Sequence, residues 1–107
     1  MNGAIADYTK AIEIKPNYAF AYDNRGIAKD AKGDLDGAIA DYIKAIEIKP
    51  DFADAYDNRG RAKHENGDLD AAMTDCNKAI ELKPDFAKAY NTRGSPLIIS
   101  RNVGLQT

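Results

Sequence analysis

Residues 19–52 read AFAYDNRGIAKDAKGDLDGAIADYIKAIEIKPDF, and residues 53–86 read ADAYDNRGRAKHENGDLDAAMTDCNKAIELKPDF. The two stretches agree at 23 of 34 positions. The period extends in both directions: Gly3 to Tyr18 matches Gly37 to Phe52 at 13 of 16 positions, and Pro16, Pro50 and Pro84 stand 34 residues apart. Self-similarity at 20 to 50 residues marks a solenoid, in which each unit buries its apolar face only against its neighbours. The expected organisation is a partial repeat over 1–18 (second helix only), whole repeats over 19–52 and 53–86, and, over 87–107, a first helix followed by a divergent C-terminal tail.

Within one unit the apolar and small residues fall at steps of three and four in two runs. Ala19, Tyr22, Gly26 and Ala28 mark the first, and Leu35, Ala38, Ile39, Tyr42, Ala45, Ile46 and Ile48 the second, so each run is a helix. Between them, Lys32-Gly33-Asp34 supplies a stop and a start. Glycine ends a helix in the left-handed conformation at little cost, and Asp34 can cap the next. Lys49-Pro50-Asp51 closes the unit, because proline cannot continue a helix and Asp51 can cap the one that follows. The pattern predicts helices over 3–15, 19–32, 35–48, 53–66 and 69–82 and a shorter sixth from Phe86, halted near Gly94 by Ser95-Pro96.

The markers Tyr22, Gly26, Ala38, Ala45 and Pro50, repeated as Tyr56, Gly60, Ala72, Ala79 and Pro84, closely resemble the tetratricopeptide (TPR) repeat over residues 3 to 94. The resemblance implies an all-α fold: an α-solenoid of helix-turn-helix repeats wound as a right-handed superhelix. Two departures recur. The leucine expected before the glycine is Arg25, Arg59 and Arg93, and the large aromatic expected one turn later is Lys29 and Lys63. Such basic pairs call for an acid, and Asp7, Asp41 and Asp75 recur on the second helices. The structural reading is a ladder of arginine–aspartate pairs, since partly buried charge is tolerable when bidentately paired. The alternative is that the arginines grip an anionic ligand.

The family typically binds an extended or helical peptide on the concave wall formed by its first helices. Carried over by alignment, that wall is Phe20, Asp23, Asn24, Ile27 and Asp30, then Asp54, Asp57, Asn58, Arg61, His64 and Glu65, then Lys88, Asn91 and Thr92. Five acids against two fixed bases imply a basic or neutral peptide or protein partner, with Asn24 and Asn58 able to hold its backbone. The same positions also read as ordinary solvated helix faces. A known TPR mode clamps a chaperone tail's carboxylate with two lysines, two asparagines and an arginine. Only Asn58 and Lys88 match it, while Asp23, Ile27 and Thr92 stand at the other sites and Asp23 would repel the ligand. The clamp is rejected.

The remaining composition excludes more than it selects. With 15 basic and 17 acidic residues and a net charge of -2, there is no field to gather nucleic acid or anionic membrane, so neither is an expected partner. No apolar run approaches the ~20 residues that span a bilayer and no signal peptide is visible, so cytoplasmic localisation is the default expectation. Cys76 stands where Tyr42 stands one repeat earlier, as a half-buried packing residue would. His64 has no Cys or His partner and is replaced by Asp30 one repeat earlier. No catalytic, metal or cofactor residues are therefore expected, and the chain reads as non-enzymatic.

Both ends are expected to expose apolar surface: Ile5, Tyr8 and Ile12 on the first helix, and Leu97, Ile98 and Ile99 after Pro96. Uncovered faces of this kind favour self-association, most simply as a homodimer joined through its ends. The candidate functions are a peptide-binding adaptor or scaffold and a self-assembling structural module.

Overall fold

The turn glycines set the fold's periodicity. Gly33 and Gly67 adopt φ of +88° and +87°, a region a side chain would strain. Each closes a helix in the same way. The Gly33 amide donates to the Asp30 carbonyl at 2.8 Å and the Asp34 amide to the Lys29 carbonyl at 2.9 Å; one repeat on, Gly67 meets His64 and Asp68 meets Lys63. The next helix begins at once, its amides capped by an aspartate: the Gly37 amide donates to Asp34 Oδ1 at 2.9 Å, and the Ala71 amide to Asp68 Oδ1 at 3.4 Å.

A computed structural model describes residues 2–94. They form α1 (Asn2–Ile14), α2 (Ala19–Ala31), α3 (Leu35–Ile48), α4 (Ala53–Glu65), α5 (Leu69–Leu82) and α6 (Ala87–Arg93), with no strand among the described residues. The expected helices are all present, each described boundary within one residue. One cap differs from expectation. Phe52, not Asp51, is the N-cap of α4, and it offers no side-chain bond; Asp51 lies one residue too early and takes Lys49 Nζ at 3.0 Å instead.

Helices α2 and α3 form one hairpin and α4 and α5 the next; α3 packs on α4, α1 on α2, and α6 on α5 and α4. The body measures 50 × 26 × 19 Å. Its core is thin and alanine-rich, which lets backbones approach. A Cβ on Gly26 would lie 2.6 Å from the Tyr42 ring and 3.1 Å from the Ala38 carbonyl, so only glycine fits there. Between hairpins, Ala19, Ala45, Phe52 and Ala55 form a cluster that recurs 34 residues later as Ala53, Ala79, Phe86 and Ala89. The two phenylalanines are its main apolar mass, each worth about 2 to 3 kcal/mol on leaving water. Cys76 is fully buried rather than half-buried, and burial pushes its thiol up to about 12, so it packs and does not react.

Candidate functional site

The recurrent charges separate into two layers. Inside each hairpin, one carboxylate holds two cations. Asp41 accepts from Arg25 Nε at 2.9 Å and Arg25 Nη2 at 2.8 Å, and Lys29 Nζ stands 3.1 Å away. Asp75 repeats this with Arg59, at 2.8 Å in both bonds, and with Lys63 at 3.3 Å. Each arginine also stacks on the tyrosine three residues earlier, at 5.4 Å for Arg25 on Tyr22 and 5.5 Å for Arg59 on Tyr56. These replacements of leucine and aromatic residues are thus internal braces. The two arginines stay firmly protonated because their aspartates bond the charged form, and they are not offered to a ligand. Arg93 differs: it stacks on Tyr90 and donates to Asn77 Oδ1 at 3.1 Å, with no aspartate bonding it among the described residues.

The second layer is the wall of α2, α4 and α6. The residues expected on it lie on these three helices, and burial divides them. Phe20 and Ile27 are exposed by 53% and 44%, with Asn24 exposed between them, and Phe20 meets the edge of Phe52 at a centroid distance of 4.9 Å. Lys88 and Asn91 are exposed; Arg61, Asp54, Asp30 and His64 are half-buried. Asp23, Asp57 and Asn58 are below the surface. A cleft of about 300 Å3 opens between α4 and α6, lined by Arg61, His64, Lys88, Asn91 and Thr92.

The sequence did not suggest what the buried three do. Asn58 Nδ2 donates to Asp23 Oδ1 at 2.9 Å, tying α4 to α2 across the seam between repeats. Burial pushes the Asp23 carboxyl up to about 6, opposed by the Asn58 bond and by Lys88 and reinforced by Asp54 and Asp57. Asp57, the equivalent of Asp23 one repeat on, would take the same bond from residue 92. That residue is threonine, and Thr92 Oγ1 donates instead to the Lys88 carbonyl at 3.0 Å. Asp57 Oδ2 accepts from Arg61 at 2.9 Å, and its Oδ1, fully buried, has no hydrogen-bond partner. The signal for this seam was in the text: Asp-Asn at 23–24 and 57–58 becomes Asn-Thr at 91–92.

Two expectations change as a result. Asp23 and Asp57 are sunk, which leaves Asp30, Asp54 and Glu65 against Arg61 and Lys88, so the acid excess that pointed to a basic or neutral peptide narrows to one charge. Asn58, one of the two residues matching the carboxylate clamp, is already bonded to Asp23, which adds to the case against that mode. Of the expected association residues, Ile5, Tyr8 and Ile12 are half-buried against the rest of the array, and Leu97, Ile98 and Ile99 lie outside the described residues. Among the described residues no cluster of three His, Cys, Asp or Glu could hold a metal, and no helix is long and apolar enough to cross a membrane.

No curated protein sequence matches the chain. Solved structures do. MamA is 29% identical with a TM-score of 0.85, over 95% of this chain and 58% of that one. The TPR domain of Arabidopsis OM64 is 29% identical with a TM-score of 0.84, over 86% of this chain and 76% of that domain. The second TPR domain of human RPAP3, solved with the HSP70 peptide SGPTIEEVD, is 26% identical with a TM-score of 0.77, over 82% of this chain and 73% of that one. A family model described as TPR repeat matches residues 31–67 and 60–95. With the 34-residue period, the paired helices and the glycine-gated hairpins, the match means that the chain belongs to the tetratricopeptide repeat family.

Proposed function

We propose that the chain is a non-enzymatic protein-interaction module that holds an extended peptide segment along the α2–α4–α6 wall. The observation that carries this reading is the division of the wall into an apolar stretch, Phe20 and Ile27 around Asn24, and a cleft lined by Arg61, His64 and Lys88. A segment with an apolar side chain at one end and a carboxylate two helices away matches both parts, with Asn24 and Asn91 able to bond its backbone. The RPAP3 domain with its HSP70 peptide supports a peptide on a fold of this kind. The partner differs from a chaperone tail in one respect: with Asp23 and Thr92 at clamp positions, the terminal carboxylate contributes nothing, and an amidated peptide binds equally well.

Selection from a random peptide library tests this. Apolar-plus-acidic sequences should be enriched. Lys88→Glu should weaken the selected peptides roughly tenfold, the worth of about 1.4 kcal/mol, and Phe20→Ser should weaken them through the other end. Enrichment of basic sequences, or affinity unmoved by both substitutions, would overturn the reading.

A further inference from the structure

The two hairpin turns share a backbone and differ in the residue before the glycine. Lys32-Gly33-Asp34 joins α2 to α3, and Asn66-Gly67-Asp68 joins α4 to α5. Lys32 and Asn66 sit at φ −89° and −83°, both with ψ 0°, and Gly33 and Gly67 follow at φ +88° and +87°. Asn66, Gly67 and Asp68 are exposed, and a Cβ on Gly67 would meet no atom within 4 Å. A lysine at this point is chemically inert. An asparagine is not, because the backbone nitrogen that follows it can attack its side-chain amide, and a glycine there has no side chain to obstruct the approach.

We propose that Asn66 is a site of self-modification, deamidated through its own backbone when the α4–α5 turn opens. The Gly67 nitrogen attacks Asn66 Cγ; the new N–C bond forms, the Cγ–Nδ2 bond breaks, and ammonia leaves with the proton that Gly67 gave up to solvent, giving a succinimide. Water then opens the ring. Opening at Cγ yields aspartate, and opening at the main-chain carbonyl yields isoaspartate, whose main chain runs through Cβ and Cγ. In the closed turn the Gly67 amide proton is held by the His64 carbonyl at 3.0 Å, and the Asn66 ψ of 0° must change before the ring can form, so the fold shields its own weak point. Isoaspartate lengthens the main chain by one atom inside the turn and places a carboxylate at the negative end of α4, beside Glu65 and Asp68. The bonds from Gly67 to His64 and from Asp68 to Lys63 then lose their spacing. Lys63 braces Asp75 and His64 lines the cleft, so a change on the outer turn reaches both layers of charge, while the first hairpin, with Lys32, is exempt.

Incubation of the full chain at neutral pH, followed by proteolysis and mass mapping, tests it. The peptide that contains residue 66 should gain the mass difference of an acid over an amide, resolved from Asn2-Gly3, the other Asn-Gly pair. It should do so at least about tenfold more slowly in the folded chain than in guanidinium. Asn66→Lys, which copies the first turn, should fold as the parent does and leave that peptide unchanged. The isoaspartate form, separated by ion exchange, should exchange its Asp68 amide at least about tenfold faster than the parent. Asn66→Asp, with the charge but not the extra atom, should stay within about fivefold of the parent. A peptide that keeps its amide for weeks, equal rates in the folded and unfolded chain, or an isoaspartate form whose Asp68 amide exchanges as in the parent would each overturn the proposal.

Discussion

The α2–α4 seam and the α4–α6 seam lie one repeat apart and are closed differently. At the first, a buried carboxylate meets a buried amide, Asp23 with Asn58. At the second, the carboxylate of Asp57 is as deep, but Thr92 turns to its own helix and leaves Oδ1 without a donor. A buried acceptor without a partner costs about 1 to 3 kcal/mol, so a single residue makes the second seam the weaker one. In a repeat array each unit is held by its neighbours, and opening starts where the seam is poorest. Helix α6 should therefore detach before α2.

The hairpin braces set the scale for these seams and should show the largest effect. Asp75→Ala strands Arg59 and Lys63 together, and removing one partner of such a pair costs about 3 to 5 kcal/mol. Denaturant unfolding should show a marked loss, while Glu47→Ala, whose exposed partner Lys44 is 3.8 Å away, should change stability by under about 0.5 kcal/mol. Equal losses would mean that the braces contribute no more than surface charge.

The first seam is sharpened by pH. The Asp23 carboxyl titrates near 6 in the folded chain against 3.8 when unfolded, so the folded state holds more protons between those values. Stability from this group therefore rises as pH falls through 6 toward 4, by about 2 to 3 kcal/mol at 1.36 kcal/mol per unit. Asp23→Asn keeps an acceptor for Asn58 without the charge. It should be more stable than the parent at pH 7 and should lose that part of the pH dependence; a melting profile that still rises toward pH 4 as in the parent would assign it to other groups.

The smallest effects come from exchanging the seams. Thr92→Asn supplies the missing donor to Asp57 and should stabilise by about 1 kcal/mol. Asn58→Thr makes the first seam resemble the second and should cost about 1 to 2 kcal/mol. If hydrogen exchange shows the protection of α6 unchanged in Thr92→Asn, the contrast between the seams is not energetic.

Much of this was legible because each repeat is a local object. Helix limits followed from Gly33, Pro50 and their successors, and the arginine–aspartate braces followed from charges 16 residues apart that recur in step. What was not legible depends on how far one first helix sinks beside the next. Asp23 and Asp57 read as wall acids because alignment places them there, but alignment says which side a residue faces and not its depth. Asp51 read as a cap because it follows a proline, yet helix α4 starts one residue later and leaves Lys49 as its partner. The wall's cation-lined cleft emerged only once the two acids were seen to be sunk.

Cys76 is the one thiol in the chain, sealed between α4 and α5 with its proton firmly held. An alkylating reagent can reach it only while that hairpin is open, so the rate of labelling counts opening events directly. Where reclosing outpaces the reagent, the rate reports the opening free energy; at high reagent concentration it becomes the opening rate itself. The second repeat thus carries its own stopwatch, readable by mass alone without adding a probe.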